Sequence, residues 1–336
     1  MATVFVTGGS GLIGSYLIPA LVAQGHRVRA LYRGQVPAIA QADQVEWVEG
    51  DILDIALLRR ALQGVGYVFH CAGLVSYAPQ DAELLQQVNV EGTANIVDAC
   101  LEADEEIKLC HVSSIAAIGR NKEATVLNEN SKWDAGEKQS AYAESKHYGE
   151  VEVWRGIAEG LQAVIVNPSV VLGPADWNRS STRLFKYVYQ QRPFYTPGSA
   201  NFVDVRDVVE AMLRLTFSDV SGERFILNAG QLTYKEFFAE AARGFGKKAP
   251  SFKVSPGLAE VVWRLEHARA WLTGGRPLIT KDTARVAAKS HVFDNQKVRK
   301  TTGMEFRSLA ETIAWTCQGL LQITRNQRGQ ELTRAN

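Results

Sequence analysis

The stretch that decides the fold is residues 3–14, Thr-Val-Phe-Val-Thr-Gly-Gly-Ser-Gly-Leu-Ile-Gly. Its first five residues are β-branched or aromatic, which is typical of a short buried strand. Glycines at positions 8, 11 and 14 follow, and an apolar pattern with helical spacing runs to residue 24, just before Gly25. The sequence therefore predicts a strand over residues 3–7, a tight glycine turn and a first helix over residues 12–24.

Outward from this stretch, strand-like runs and helical patterns alternate through the first half of the chain. Alternation at this spacing indicates parallel strands with helices on both faces of the sheet. We therefore expect an α/β fold, a Rossmann-type doubly wound parallel sheet with a smaller, mostly helical C-terminal region. The predicted strands are residues 3–7, 27–32, 45–48, 67–71, 107–113 and 162–166, and the predicted helices are residues 12–24, 54–63, 80–101 and 142–158.

The composition disfavours several classes of partner. Lysine and arginine number 37 against 36 aspartate and glutamate residues, so no basic field favours a nucleic acid or an anionic membrane. No apolar run is long enough to span a membrane. The four cysteines, Cys71, Cys100, Cys110 and Cys317, form no CxxC pair. We expect no metal site, reduced thiols and a cytoplasmic protein.

The glycine turn is typical of a dinucleotide site. A side chain at Gly8 or Gly11 would keep the backbone away from a pyrophosphate, and Gly14 lets the helix pack against the strand. The start of the helix, at Leu12 and Ile13, offers backbone N–H groups and a positive dipole to the phosphates. A glycine triplet alone is weak evidence, but its place in the first strand-turn-helix unit predicts cofactor binding.

The residues after the second strand predict which nicotinamide cofactor binds. A carboxylate there would bond the ribose 2′-hydroxyl of NAD, whereas an arginine accommodates the 2′-phosphate of NADP. This chain has Arg33 and no acid, so we expect NADP, with NAD possible; the other interpretation is a solvated surface arginine. Further cofactor contacts are expected from residues after the third and fourth strands: Asp51, Ile52, Cys71, Ala72 and Gly73.

Tyr142 and Lys146 are the predicted catalytic pair, because a spacing of four places both side chains on one face of a helix. A neighbouring ammonium favours the phenolate, so we expect a lowered pKa for Tyr142. The phenol can exchange a proton with a substrate oxygen while a hydride moves at carbon, and Lys146 can also hold the nicotinamide ribose. The fifth strand ends in Ser113 and Ser114, and we favour Ser114 as a hydrogen-bond donor to the substrate oxygen.

The pattern of strands and helices loosens after Asn167, where prolines and glycines become frequent. We expect the chain to divide into a dinucleotide-binding domain, a substrate-binding region and a polar tail. The predicted ranges are 1–167, with 202–229 returning to it, for the first; 168–201 and 230–322 for the second; and 323–336 for the tail. Substrate-lining residues are expected at 75–79, at 178–183 and around Tyr195.

Together these motifs resemble the extended short-chain dehydrogenase/reductases, the NAD-dependent epimerase/dehydratase family. The resemblance covers about residues 2–320. Its motifs are Thr7-Gly8-x-x-Gly11-x-x-Gly14, Gly50-Asp51-Ile52, His70-Cys71-Ala72-Gly73, Asn89-Val90-x-Gly92-Thr93, Ser113-Ser114, Tyr142-x-x-x-Lys146, Asn167-Pro168-Ser169 with Gly173-Pro174, and Phe202-Val203-Asp204-Val205-x-Asp207-Val208.

The resemblance implies roles for single residues. It implies a Ser-Tyr-Lys site, which maps onto Ser114 with the predicted catalytic pair. It also implies that the backbone near Pro168 and Val170 meets the nicotinamide, and that Asn89 braces the long helix beside the active site.

The subfamily decides between three functions. Residues 28–33 and 167–174 resemble the NADP-dependent dihydroflavonol-reductase and aldehyde-reductase branch. The leading hypothesis is therefore an NAD(P)-dependent reductase that acts on a carbonyl of a small or medium organic substrate. The second is a sugar-nucleotide epimerase or dehydratase with tightly held NAD, and the third is a non-catalytic cofactor-sensing scaffold. The intact Tyr142 and Lys146 argue against the third.

The resemblance also implies a possible homodimer, because the helices expected at 80–101 and 142–158 often pair between subunits in that family. Apolar residues on these helices could supply the contact, or they could pack into the core of their own domain. These residues are Leu84, Leu85, Val88, Tyr148, Val151 and Trp154.

Overall fold

The structure, a computed structural model, describes residues 1–119, 125–134, 136, 139–178, 181–254 and 291–335. The strands in these ranges are β1 (Thr3–Thr7), β2 (Arg27–Tyr32), β3 (Glu46–Glu49), β4 (Tyr67–His70), β5 (Lys108–Val112), β6 (Val126–Leu127), β7 (Gln162–Pro168), β8 (Val170–Leu172), β9 (Phe194–Tyr195), β10 (Ser199–Asp204), β11 (Glu223–Leu227), β12 (Gly230–Thr233), β13 (Phe252–Lys253) and β14 (Val292–Phe293). The helices are α1 (Leu12–Ala23), α2 (Ile55–Ala61), α3 (Ala82–Gln86), α4 (Gly92–Leu101), α5 (Ala141–Ala158), α6 (Thr182–Tyr189), α7 (Val205–Thr216), α8 (Tyr234–Phe245), α9 (Gln296–Thr302) and α10 (Leu309–Ala335).

Seven strands form one sheet in the order β11-β7-β5-β4-β1-β2-β3, and every neighbouring pair runs parallel. Phe5 of β1 packs into a core with α2, α4 and α5. Val4 and Val6 are also buried and point to the opposite face, because successive residues of a strand alternate. The helices α1 and α7 pack against each other. Helices thus flank a wholly parallel sheet, which confirms the predicted Rossmann-type doubly wound fold.

Most predicted boundaries agree with the structure to within a few residues. β1 and β2 match their predicted ranges, and Asp54 caps α2 by accepting the Leu57 N–H at 3.0 Å, as the sequence predicts. The strand predicted to end at residue 166 continues to Pro168, because β11 pairs along its second half.

The long helix predicted over residues 80–101 is not uniform. A π-helical turn, Gln87–Glu91, separates α3 from α4. A π turn closes its hydrogen bonds over five residues instead of four, so the side chains on it take directions that a regular α-helix would not give. Asn89 lies in this turn and is buried.

The chain divides into two compact units. The first comprises Met1–Ser169, Val205–Leu227 and Phe293–Glu305, and the second comprises Val170–Asp204, Asn228–Val292 and Phe306–Asn336. In the second unit β10 pairs parallel with β8 and antiparallel with β12. Its core is aromatic: the Phe237 ring stacks on Phe202 at 4.9 Å and meets Phe185 edge-on at 5.1 Å. Residues 255–290, part of the substrate-binding region expected at 230–322, lie outside the described residues.

Three predicted ranges differ from these units. Residues 202–204 do not join the main sheet, because β10 pairs within the second unit; the return to the first unit begins at Val205. The helix α9 belongs to the first unit, where the Lys297 amine lies 4.5 Å from the Phe225 ring centre. The predicted polar tail continues α10 as far as Ala335.

Within the described ranges, no helix combines the length and apolar character needed to cross a bilayer. The same residues hold no cluster of three or more histidine, cysteine or acidic side chains that could bind a metal ion. All four cysteines are free thiols, and Cys100, Cys110 and Cys317 are buried.

Candidate active site

The glycine turn closes tightly on its own backbone. Gly8 has φ +71°, and a Cβ there would lie 2.5 Å from the Ala72 nitrogen. A Cβ at Gly14 would lie 2.3 Å from the Gly8 carbonyl oxygen. The Gly11 N–H donates to that same oxygen at 2.9 Å. Gly8 is therefore required by the backbone that follows β4, and Gly14 by the packing of the turn itself, before any ligand is considered.

The first turn of α1 fits the phosphates of a dinucleotide. Gly11 is the N-cap residue, and no side chain caps the helix. The backbone N–H groups of Leu12 and Ile13 belong to the first turn, which has no carbonyl partners within the helix. The helix dipole adds a partial positive charge at the same place. The turn therefore offers backbone donors and no obstructing side chain, the two properties that a pyrophosphate requires.

A buried polar network holds the ends of β1 and β4 beside this turn. The Thr7 hydroxyl lies 2.7 Å from His70 Nδ1 and accepts the Ala72 N–H at 3.1 Å. His70 Nε2 lies 3.1 Å from the Thr93 hydroxyl, which donates to the Asn89 carbonyl oxygen at 2.8 Å. Because the single proton of Thr93 is used, His70 donates from Nε2 and accepts at Nδ1. Burial lowers the pKa of His70 to about 3, so the ring is neutral.

Arg33 and Asp51, predicted separately, form an ion pair of 2.9 Å. Asp51 also accepts the Leu53 N–H at 3.1 Å. Burial raises the pKa of the Asp51 carboxyl, but the hydrogen bonds from Leu53 and Arg33 outweigh it and the net pKa is lowered. The Arg33 side chain is 71% exposed, so its guanidinium can still reach a ligand.

The helix α5 carries the predicted catalytic pair on one buried stripe. The Ser140 hydroxyl caps the helix by accepting the Ala143 N–H at 3.2 Å. Tyr142 and Lys146 follow at a spacing of four, and both are buried.

The pKa of Tyr142 differs from the expectation. Burial raises it, the Ser114 hydroxyl lowers it, and the net pKa lies above the usual value. Lys146 is not among the groups that shift the pKa of Tyr142. Its ammonium donates to the Val112 carbonyl oxygen at 2.8 Å. Burial also lowers the pKa of Lys146 to about 8.

Asn89 connects the π turn to α5. Its Oδ1 accepts the Leu74 N–H at 2.7 Å, and its Nδ2 donates to the Leu74 carbonyl oxygen at 3.0 Å and to the Ser145 hydroxyl at 2.9 Å. Gly73 and Gly149 allow this approach, since a Cβ at Gly73 would lie 3.3 Å from Asn89 Oδ1 and one at Gly149 would lie 2.5 Å from the Asn89 carbonyl oxygen. The brace implied by the resemblance is present.

The two serines after β5 have different surroundings. The Ser114 hydroxyl accepts the Ala116 N–H at 3.1 Å and interacts with the Tyr142 phenol. The Ser113 hydroxyl is buried and has no hydrogen-bond partner among the described residues. The geometry thus brings Ser114 to the phenol.

Pro168 and Val170 fall on either side of the boundary between the units. Pro168 ends β7 at the carboxyl edge of the main sheet, where dinucleotides bind in such folds. Val170 begins β8 of the second unit. Of the residues expected to line the substrate, Tyr195 also belongs to the second unit, and Arg179 lies outside the described residues.

Besides the Ser114 hydroxyl, Tyr142 has a cluster of apolar and aromatic side chains around it. The Tyr77 ring meets the Tyr142 ring edge-on at 5.5 Å. The indole of Trp133 stacks on the His147 ring at 4.1 Å. The side chains packed around Tyr142 are Leu74, Tyr77, Leu85, Ala116, Trp133, Ala141 and Ala143.

Sequence reasoning missed a group of buried polar residues behind the site. Glu150 is 1% exposed and pairs with Arg224 at 3.1 Å. Asn167 donates to Glu150 and, at 2.9 Å, to the Ser114 carbonyl oxygen. The spacing of four between Lys146 and Glu150 could have indicated Glu150, because it places Glu150 on the same face of α5 as Tyr142 and Lys146. Nothing local indicates Arg224, which lies 74 residues farther along the chain.

The chain is similar to known proteins in sequence and in fold. Residues 4–230 match the model of the NAD dependent epimerase/dehydratase family. Over 318 residues the chain is 31% identical to a Synechocystis sp. protein provisionally named dihydroflavonol 4-reductase, covering 92% of each chain. The crystal structure of gox2253 superposes with a TM-score of 0.82 at 30% identity, covering 97% of this chain and 99% of that one. The complex of MoeE5 with UDP-glucose and NAD superposes with a TM-score of 0.74 at 20% identity, covering 96% and 100%, and shares the fold.

Proposed function

Because the chain belongs to the NAD-dependent epimerase/dehydratase family, we propose that it is an NADP-dependent reductase acting on a carbonyl of a small or medium organic substrate. Membership of the family makes the protein an NAD(P)-dependent oxidoreductase or epimerase. The observation that carries the reductase proposal is the environment of Tyr142: a protonated phenol beside the Ser114 hydroxyl, with a cluster of apolar and aromatic side chains packed against its ring.

The residues of the site have distinct tasks in this reaction. The bound nicotinamide supplies the hydride for the carbonyl carbon. The Ser114 hydroxyl donates a hydrogen bond to the carbonyl oxygen as negative charge develops there. Tyr142 gives its phenolic proton to that oxygen, which as an alkoxide is a far stronger base than a phenolate. The raised pKa of Tyr142 keeps the phenol protonated at neutral pH, the state that reduction requires.

Residues of the first unit fit each part of the cofactor. The N–H groups of Leu12 and Ile13 would hold the pyrophosphate, with Gly8, Gly11 and Gly14 leaving room for it. The Lys146 ammonium would hold the nicotinamide ribose.

The adenosine end of the cofactor would meet Arg33 and Asp51, with Ile52 beside it. The small segment Cys71, Ala72 and Gly73 would let the backbone approach the cofactor on the way to Lys146, because a Cβ at Gly73 would lie 3.7 Å from the Lys146 amine. Arg33 is exposed, and its planar guanidinium can make forked contacts with a 2′-phosphate that takes the place of the Asp51 carboxylate. This supports a preference for NADP over NAD.

The walls of the site favour a reductase over an epimerase. A sugar ring requires several hydrogen-bond partners, because each buried hydroxyl left unpaired is costly. Leu74, Tyr77, Ala116 and Trp133 around Tyr142 offer mainly apolar surface. The name of the Synechocystis sp. relative supports the same choice.

The assembly is proposed to be a homodimer in the cytoplasm. Leu84 of α3 and Tyr148 and Val151 of α5 are 42%, 46% and 44% exposed. Leu85, Val88 and Trp154, also considered for this contact, pack instead into their own domain. The four free thiols fit a reducing compartment.

The test is turnover with NADPH and NADH on a panel of aliphatic and aromatic aldehydes and ketones, followed by loss of reduced-cofactor absorbance. We expect turnover with NADPH on carbonyls attached to apolar or aromatic groups. Inactivity on the whole panel, together with NAD that is released only on denaturation and interconversion of a sugar nucleotide, would establish the epimerase alternative instead.

A further inference from the structure

A buried ion pair lies one helical turn beyond Lys146. Glu150 is 1% exposed, and its Oε2 accepts from the Arg224 guanidinium of β11 at 3.1 Å. Its Oε1 accepts from the Asn167 side-chain amide. The same amide nitrogen donates to the Ser114 carbonyl oxygen at 2.9 Å. One carboxylate is therefore connected, through a single amide, to the backbone of the residue proposed to stabilise the substrate oxygen.

The guanidinium of Arg224 is held by all three of its nitrogens. Nη1 donates to Glu150, Nε donates to the Glu129 carbonyl oxygen at 2.9 Å, and Nη2 reaches the Ser131 carbonyl oxygen at 3.3 Å. The Glu129 carboxylate accepts the Ile226 N–H at 2.9 Å and so ties the same loop to β11. Arg224 thereby holds both Glu150 and the loop that contains Glu129 and Ser131, which leads to Trp133.

Glu150 continues the stripe of α5 that carries Tyr142 and Lys146. All three residues are buried and follow at a spacing of four. In the described part of the chain no carboxylate is hydrogen-bonded to the Lys146 ammonium, which donates to the Val112 carbonyl oxygen. The Glu150 carboxylate therefore acts on the Lys146 ammonium through its charge and not through a hydrogen bond.

Other titratable groups face these two residues, and burial keeps them uncharged. Burial raises the pKa of the Cys71 thiol and lowers the pKa of His70 and of His111. Burial also lowers the pKa of His147, which stands next to Glu150 and Arg224. The carboxylate of Glu150 is therefore the anion beside Lys146, and Arg224 is the cation on its far side.

On the premise of the proposed reductase, we propose that Glu150 is a positioning residue of this reaction, which orients Ser114 through Asn167 and supplies the counter-charge for the Lys146 ammonium. Two effects oppose each other at that ammonium: burial lowers the pKa of Lys146 to about 8, and the Glu150 charge raises it. Removing the carboxylate charge takes away an effect that raises the pKa of Lys146, so Lys146 should lose its proton at a lower pH. A merely structural ion pair would change stability without this effect.

The experiment measures the titration of Lys146 directly and does not depend on a substrate. Amines of the cofactor-free protein are labelled with acetic anhydride as a function of pH, and the extent of labelling at Lys146 is read by mass spectrometry. The variants are Glu150→Gln, which keeps an acceptor for Asn167, and the matched control Glu152→Gln on the same helix, whose carboxylate pairs with Arg155 at 2.9 Å. The pH profile of kcat and KM is recorded on the reduction substrate as a second readout.

We expect Glu150→Gln to move the Lys146 titration to lower pH by about one unit, a modest value for the loss of a nearby opposite charge. The basic limb of the kcat profile should move with it while KM changes little, and Glu152→Gln should match the wild type. If Glu150→Gln does not fold because Arg224 is left unpaired, the double variant Glu150→Gln/Arg224→Met removes both charges, and the same direction of shift is expected. A wild-type Lys146 titration in the folded variant overturns the proposal, whether or not the enzyme proves to be a reductase.

Discussion

In the proposed reaction, the Tyr142 phenol is the group on which turnover depends most directly, since it gives its proton to the substrate oxygen. Tyr142→Phe should lower turnover by roughly 10²–10⁴, the usual effect of losing a general acid. Affinity for the cofactor should change little, because the ring keeps its contact with Tyr77. Steady-state kinetics and a fluorescence titration of NADPH measure the two quantities.

Tyr148 provides the matched control on the same helix. Its side chain is 46% exposed and lies outside the group packed around Tyr142, so Tyr148→Phe should retain wild-type turnover. Near-normal turnover in Tyr142→Phe would remove that phenol from the mechanism.

Arg33 decides the choice of cofactor in our proposal. Truncation to alanine removes the cation for the 2′-phosphate, and should weaken NADPH binding by about 1.5–3 kcal/mol, the range for a hydrogen bond to a charged group. NADH binding should hardly change. Because the Arg33 side chain is 71% exposed, solvent screening favours the lower end of that range.

Two further variants separate this effect from general changes of surface charge. Arg27→Ala removes an exposed arginine of β2, the strand that precedes Arg33, and should leave both affinities unchanged; Arg27 pairs with Glu46 at 3.1 Å. Asp51→Asn releases Arg33 from its carboxylate and should keep or increase the preference for NADPH. Equal or tighter binding of NADH by the wild-type protein, in titrations with both cofactors, would contradict the assignment.

At the scale of elements, the position of α5 depends on its close approach to the π turn. A Cβ at Gly149 would lie 2.5 Å from the Asn89 carbonyl oxygen, which is backbone and cannot rotate away. Gly149→Ala should therefore push α5 outward and destabilise the protein by about 1–3 kcal/mol, as overpacking of a well-packed interior does. Urea unfolding monitored by circular dichroism measures the loss.

The control for this prediction is Gly66→Ala, where an added Cβ meets nothing within 4 Å. It should leave the free energy of unfolding close to that of the wild type. Gly149→Ala with wild-type stability and turnover would show that the helix tolerates displacement from the turn.

The elements that the sequence predicts well are those specified by local signals. β1, the glycine turn and the cap of α2 by Asp54 follow from neighbouring residues, and the spacing of Tyr142 and Lys146 places them on one face. The candidate site is predictable to the same extent, because its side chains follow strand ends or one helical stripe.

Features that depend on distant pairing could not be read from the sequence. Residues 202–204 join the smaller sheet because β10 pairs with β8 and β12. The alternation of apolar residues along a strand predicts the strand but not the sheet to which it belongs. The raised pKa of Tyr142 follows from burial by several segments, which outweighs the lowering by the Ser114 hydroxyl. The ion pair of Glu150 and Arg224 likewise joins α5 to β11.

At the scale of the whole molecule, the exposed apolar side chains of α3 and α5 are the basis for a dimer. These two helices pack on each other in the first unit. Leu84, Tyr148 and Val151 are each more than two-fifths exposed, and they lie on these two neighbouring helices. Burying them against a second copy would remove this surface from water and so stabilise the pair.

We therefore expect the wild-type protein to be a dimer, and Leu84→Glu/Val151→Glu to be a folded monomer, because four carboxylates would face one another across the interface. Light scattering coupled to size-exclusion chromatography gives the mass, and circular dichroism verifies the fold. Val126→Glu is the matched control: it places a carboxylate at an equally exposed valine, 54% exposed, that lies on β6 rather than on these helices, and it should remain a dimer. A monomeric wild type, or a double variant that remains a dimer, would show that α3 and α5 do not form the interface.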